Sequence, residues 1–247
     1  HRRLLAGVRG RERMPGEFRT SQNWVGGGGS TIDTARFVPP PPEELADLLA
    51  DWERFAHEAT DLPVLIQNAL LHYQFETLHP FLDGNGRLGR LLIVSSLIEG
   101  GRLSAPLLYV SSYFERDRER YYEALQTVRQ AGDPMPWIEL FLEAVQTQAT
   151  DAVARAQRII ELRDQYRSAA SAIPSSNAMA LADVVCESPI LSSRTVEARL
   201  GVTRPTALKL LRQLEAVDVL TEADPGPRGQ KRYVATELMA AVTEEKR

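Results

Sequence analysis

Residues Leu88–Glu99 are apolar around almost the whole turn of a helix, and such a helix must be surrounded on most sides by other elements. This segment requires a helical bundle built about it. Glu43–Ala59, entered through four prolines, sets Leu45, Leu48, Leu49, Trp52 and Phe55 on one face. Pro63–Leu78 does the same with Leu65, Ile66, Ala69, Leu70, Tyr73 and Leu78. Further helices are predicted at Ser112–Gln130 and Pro136–Arg167. Short strands fit only Asn23–Val25 and Thr34–Val38, and the glycines between them predict a β-hairpin flap over about 23–38. The pattern predicts a mainly α fold.

The composition closes off several classes of protein. Of 247 residues, 43 % are apolar and 25 % charged, too hydrophobic for a disordered chain. No apolar run approaches the roughly 20 residues of a bilayer span, so no membrane partner is expected. The single cysteine, Cys186, leaves no intramolecular disulfide and no thiolate metal cluster, reads as a small core hydrophobe, and fits a cytoplasmic location. A cationic region followed by an apolar core and cleavage site, the pattern of a secretory signal, is not found. A net charge of −4 gives no global tendency to coat nucleic acid. The Pro- and Ser-bearing stretch Ala169–Asn177 marks a change in character, which predicts a domain at 1–166, a linker at 167–178 and a second domain at 179–247.

Between two predicted helices lies the run from His79 to Arg90, His-Pro-Phe-Leu-Asp-Gly-Asn-Gly-Arg-Leu-Gly-Arg. Gly84 and Gly86 allow close backbone approach, so N–H groups can converge on an anion, and the following helix N-terminus adds its own unpaired donors. Arg87 and Arg90, three apart, share a helix face and can reach successive phosphates. Asp83 is a hard oxygen ligand suited to Mg²⁺. His79, ordinarily titrating at about pH 6.5, suits a general base. Together these groups point to transfer chemistry at a polyphosphate.

The run resembles the signature of the Fic-domain family, His-Pro-Phe-x-(Asp/Glu)-Gly-Asn-Gly-Arg-x-x-Arg, at every defined position. The resemblance extends through Gly16-Glu17-Phe18-Arg19, Ser21-Gln22-Asn23-Trp24, Phe37 with its prolines, and Ser111-Ser112-Tyr113-Phe114, covering roughly residues 1–165. It implies a Fic-type helical bundle with a flap, and transfer of AMP from ATP to a Ser, Thr or Tyr hydroxyl of a target protein. In that scheme His79 is the base and Asp83 holds Mg²⁺. The Gly84–Gly86 backbone with the Asn85 side chain receives the α-phosphate, Arg87 the β-phosphate and Arg90 the γ-phosphate. Phe81 anchors the loop, and the flap near Thr31–Phe37 pins the target. Tyr113, Tyr121 and Tyr122 fall where the family forms its adenine pocket, although aromatic residues at helical spacing more often belong to a core. His72 is expected to pack against the loop and His1 and His57 to lie at the surface.

Many family members carry an inhibitory helix with Ser/Thr-x-x-x-Glu-Gly/Asn, whose glutamate pairs with the second motif arginine. Ser95–Gly100 matches the string, but Glu99 lies about 13 Å along the helix from Arg90. An inhibitory helix is therefore expected upstream of His1, and no glutamate of this chain is expected to reach Arg90.

The C-terminal part resembles a winged-helix domain: Arg194–Leu200, a turn at Gly201, a helix Arg204–Val217 capped by Thr203, and a ribbon Leu220–Thr236 whose tip holds Gly226, Arg228, Gly229, Lys231 and Arg232. Arg204, Lys209 and Arg212 suit phosphates, yet from Ile173 onward ten basic residues meet ten acidic ones. Such domains bind DNA or proteins, a second copy of the chain among them. The rival to an adenylyltransferase is thus a nucleotide-sensing transcriptional regulator; within the family, removal of AMP and transfer of another phosphate-linked group are the other activities.

Overall fold

The computed structural model describes residues 1–58, 60–224 and 231–243. These residues form two compact units, 1–149 and 150–247.

The first unit opens with turns over residues 1–18, an isolated antiparallel bridge between Val25 and Phe37, and 3₁₀ turns at Ile32–Thr34 and Pro42–Glu44. Helices α1 (Leu45–His57), α2 (Val64–Leu78) and α3 (Asn85–Glu99) follow. Next come α4 (Val110–Arg116), α5 (Arg118–Ala131) and the start of α6 (Met135–Ser171). The expected flap is reduced from two strands to one bridge, with Val25 and Phe37 exchanging backbone hydrogen bonds of 2.8 and 3.2 Å. The four glycines beyond Val25 resist extended pairing, because each loses more backbone freedom than any other residue when ordered. The helix expected at Ser112–Gln130 is split at Asp117, whose carboxylate accepts from the Arg120 N–H and caps a new helix.

The core of this unit gathers Ala69 of α2, Ile93 and Leu97 of α3, Phe114 of α4, Tyr121 and Leu125 of α5, and Trp137 and Phe141 of α6. Trp137 is fully enclosed, and its indole N–H donates to the Ala69 carbonyl at 2.8 Å. Helix α3 is less enveloped than its sequence predicts: Ile93, Val94 and Leu97 are buried, but Leu91 is 47 % exposed and Ile98 37 %.

In the second unit, α7 (Ser176–Glu187), β1 (Ile190–Leu191), α8 (Ser193–Leu200) and α9 (Arg204–Glu215) precede β2 (Thr221–Ala223), β3 (Arg232–Val234) and α10 (Thr236–Thr243). The strands make one antiparallel sheet in the order β1-β3-β2, with Leu191 and Glu222 both facing Tyr233 in register. Leu181, Val196, Leu210, Leu214 and Tyr233 lie in its core with Leu162 of α6, and Cys186 packs against it, burial pushing its thiol up. The division between the units falls earlier than the linker expected at 167–178. The reason is that α6 continues to Ser171, where Ala170 is buried in the second core, and Pro174 comes only after the helix has ended. Strand β1, two residues long, has no period to detect. Of the ribbon tip, Gly226, Arg228 and Gly229 lie outside the described residues.

Candidate functional site

Helix α2 ends abruptly at His79, which adopts the left-handed conformation (φ +46°) immediately before Pro80. A non-glycine residue holds such a backbone only where its surroundings over-determine it. Here they do: the His79 carbonyl accepts from Arg19 Nε at 3.0 Å and Asn23 Nδ2 at 3.3 Å, and the Arg19 N–H donates to the Pro80 carbonyl at 2.9 Å. Arg19 also donates to the carbonyls of Pro40 and Leu78, so one buried guanidinium ties the flap base to the loop. Its role was not legible from the Gly-Glu-Phe-Arg string alone.

Within the loop, Asn85 is 1 % exposed, and its side-chain amide accepts from the Phe81 N–H (2.9 Å) and donates to the Phe81 carbonyl (2.7 Å). That corrects the expectation of a side chain aimed at an anion, since the Asn85 amide closes the loop on itself. Asn85→Ala leaves both Phe81 groups without partners and should destabilise the first unit by about 2–4 kcal/mol. Trp24, Trp52 and Trp137 all lie in that unit, so an earlier denaturant midpoint in tryptophan fluorescence reads the loss directly.

Gly84, at φ +85°, is the N-cap of α3. Its N–H is taken by Asp83 Oδ1 at 2.6 Å, so the donors left for an anion are the first-turn N–H groups from Asn85 to Arg87, which have no acceptor within the helix. Arg87 lies 3.5 Å from Asp83 and donates to the Arg9 carbonyl at 3.1 Å. Arg90 donates through Nε to Ser111 Oγ (3.1 Å) and through Nη2 to Glu115 (3.2 Å). The Glu115 pairing corrects the expectation that no glutamate of this chain reaches Arg90: Asp117 ends α4 close by and brings Glu115 within range from 25 residues away.

The imidazole of His79 turns Nδ1 toward the Glu76 carbonyl (3.4 Å) and, at 4.0 Å, toward the Glu76 carboxylate. A carbonyl only accepts, so Nδ1 carries the proton and Nε2 keeps the lone pair. Burial holds His79 at a pKa of about 4, so it is neutral at pH 7.

His79, Asp83, Gly84, Asn85, Gly86, Arg87, Arg90 and Tyr122 line one open cleft of about 890 Å³. Arg9, Arg13, Glu115 and Arg118 join them, none of which a motif search reveals. Tyr121 does not line it. Its ring is buried, its hydroxyl sits 3.0 Å from His72 Nε2, and it packs against Phe114 and Trp137. Tyr113 is likewise in the core. His1, expected at the surface, stacks on Phe81 at 3.8 Å, accepts from the Gly16 N–H at Nδ1, and through Nε2 donates to the Asp83 carbonyl at 2.8 Å. His57 is exposed.

Among the described residues no cluster of three or more His, Cys, Asp or Glu side chains could hold a metal ion. One carboxylate fits Mg²⁺ where phosphates and water supply the remaining oxygens. Asp83 Oδ2 lies so close to Gly10 that a Cβ there would stand 2.5 Å away, and a side chain at that position would push the carboxylate aside.

Residues 1–97 match the Fic/DOC family. The Fic/DOC match takes in the N-terminal turns, the flap and the whole 79–90 loop. The protein adenylyltransferase Fic of Drosophila yakuba is 35 % identical over 149 residues, 59 % of this chain and 26 % of that protein. The corresponding protein of Drosophila grimshawi is 32 % identical over 148 residues, 59 % of this chain and 27 % of that one. The chain thus spans about a quarter of the length of these curated relatives. In fold it is similar to the crystal structure of a Fic family protein from Desulfovibrio desulfuricans G20, with a TM-score of 0.52 covering 94 % of this chain and 64 % of that one at 24 % identity.

Buried neutral histidines carry a pH signature. Burial lowers His72 to a pKa of about 3 and His79 to about 4, whereas the unfolded chain protonates both near 6.5. The unfolded state therefore binds more protons below 6.5, and these residues withdraw stability as pH falls. Glu76, raised by burial to about 7, acts in the opposite sense, but only above 4.5, where its unfolded form ionises. Thermal melts from pH 7 to 4 should show Tm falling most steeply below about pH 4.5, and His72→Gln should flatten the fall.

Proposed function

We propose that the chain is a protein adenylyltransferase, moving AMP from ATP to a hydroxyl side chain of a target protein. The observation that carries this reading is the convergence of the His79 base, the Asp83 carboxylate, the α3 N-terminus and two motif guanidiniums on one cleft. The name of the Drosophila relatives, protein adenylyltransferase, points the same way.

In the reaction, His79 Nε2 removes the proton of the target hydroxyl as its oxygen attacks the α-phosphorus. The bond from that phosphorus to the bridging oxygen breaks, and pyrophosphate leaves with the bond pair. The N–H groups of Asn85, Gly86 and Arg87 face the charge that develops on the α-phosphoryl oxygens. Arg87 and Arg90 hold the departing phosphates, Arg90 first releasing Glu115. Asp83 would hold Mg²⁺, which when bound would neutralise phosphate charge. Tyr122, which lines the cleft along with Trp24, would meet the base, while Arg36 lies 5.1 Å over its ring and tethers the flap through Glu119 at 2.6 Å. The backbone beside Phe37 offers the edge on which an extended target segment would add. Label carried from ATP into protein from the α-position and not from the γ-position tests the reading against phosphoryl transfer.

For the second unit we infer a winged-helix domain. Its support is the pair α8 and α9 joined by Gly201 at φ +64°, with β1 before them and β2 and β3 after them in one antiparallel sheet. Arg204, Lys209 and Arg212 are exposed on α9, which favours a phosphate-bearing partner such as DNA. Duplex binding that weakens steeply with salt assigns this unit to nucleic acid; salt-insensitive self-association assigns it to a homodimer.

A further inference from the structure

Glu76 occupies the last turn of α2, three residues before His79 and on the same face. It is 7 % exposed, and Oε1 has no hydrogen-bond partner, a costly arrangement for a carboxyl group that does nothing but fill space. The fold makes deliberate room for it. A Cβ at Gly89 would stand 2.7 Å from Oε1 and 3.1 Å from the Phe75 ring, so a side chain there would push the carboxyl aside. Two guanidiniums, Arg90 from α3 and Arg129 from α5, act on it electrostatically, and Arg129 Nη2 also donates to the Glu76 carbonyl at 3.4 Å. Oε2 lies 4.0 Å from His79 Nδ1, the nitrogen opposite the one proposed to act as base.

We propose that Glu76 is a positioning residue for His79: its backbone carbonyl keeps the proton on Nδ1, and its buried carboxylate, when ionised, opposes the charge of the imidazolium formed when Nε2 takes the proton of the attacking hydroxyl. The proposal rests on the transfer reading above for the source of that proton. The transferred proton stays on Nε2 and the Nδ1 proton stays on its nitrogen, so Glu76 exchanges nothing. A carboxylate behind a histidine base fixes its orientation and opposes the charge it acquires. Burial pushes Glu76 up to about 7 and His79 down to about 4, so above about pH 7 the carboxyl is ionised while the resting imidazole stays neutral. The other charged or titratable groups acting on the carboxyl are Arg90, Arg129 and Tyr121 of α5, and those acting on His79 are Arg129, Arg19 and Asp83.

The test labels histidine with ¹⁵N in the whole chain and follows His79, assigned through His79→Ala, by long-range ¹H–¹⁵N spectra against pH. The parent should show the proton on Nδ1; a proton on Nε2 overturns the proposal without any variant. In the parent the His79 ¹⁵N shifts should follow the ionisation of Glu76 through a step near pH 7, and in Glu76→Gln that step should vanish. Transfer should fall about 10- to 100-fold in kcat with the KM for ATP within about twofold. Glu76→Asp, which keeps the charge but withdraws it, should fall between the two. A His79 step near pH 7 that persists in folded Glu76→Gln, or that is missing from the parent, contradicts the proposal. An inactive parent whose His79 still responds to Glu76 would remove the transferase reading and leave this coupling standing; an active parent with an unresponsive His79 would do the reverse.

Discussion

His79→Ala is expected to lower the rate of AMP transfer by about 10²- to 10⁴-fold while ATP affinity stays within about threefold. The separation follows from where the groups sit. The donors proposed for the nucleotide, the first-turn N–H groups of α3 with Arg87 and Arg90, come from a helix that begins six residues beyond His79. His79 contributes a lone pair at Nε2 that acts only on the incoming hydroxyl. Alanine must adopt the φ of +46° at this position, so a modest loss of stability accompanies the substitution, and the comparison belongs well below the Tm of the variant. Near-parental transfer by folded His79→Ala would remove the base assignment.

Asp83→Asn is expected to raise the Mg²⁺ concentration for half-maximal transfer at least about tenfold, because the hard anionic ligand becomes a neutral amide. Asparagine is the informative replacement. Its Oδ1 can still accept from the Gly84 N–H now held at 2.6 Å, so the loop keeps its shape and the change isolates the charge. Arg87, 3.5 Å from the carboxylate, loses a competitor for phosphate at the same time. The variant should therefore bind ATP without metal at least as well as the parent. An identical Mg²⁺ titration in both proteins would show that Asp83 is not the ligand.

What could be read before the structure was chemistry carried by contiguous residues. Residues 79–90 hold their donors, acceptors and glycines in one run, and the cleft gathers the same side chains, with Asn85 turned inward. The apolar face of α1 was legible because burial at a period of 3.6 leaves its mark on each turn, whereas α2 buries Asn68, His72 and Glu76 and leaves Leu65, Ile66, Leu70 and Tyr73 of its expected face only half-buried. Interactions that join distant segments leave no such trace. Arg19 reaches 60 residues to the His79 carbonyl, and Glu115 reaches 25 residues to Arg90. Each is an ordinary charged residue in its own neighbourhood. Tyr121 and Tyr122 are adjacent in sequence, yet helix geometry points one at His72 and the other at the cleft, a difference of one residue in phase. Glu76 stood in plain view, three residues before the base, but a lone glutamate on a helix is usually solvated, and only burial singles it out.

The most direct measurement of the central claim is the intact mass of protein after incubation with ATP and Mg²⁺, on this chain and on candidate targets, with His79→Ala alongside. The account predicts a gain of one AMP moiety on a hydroxyl-bearing protein, pyrophosphate in equal amount, and neither with His79→Ala. A gain of a phosphoryl group, or an AMP adduct that forms equally well without His79, would contradict it.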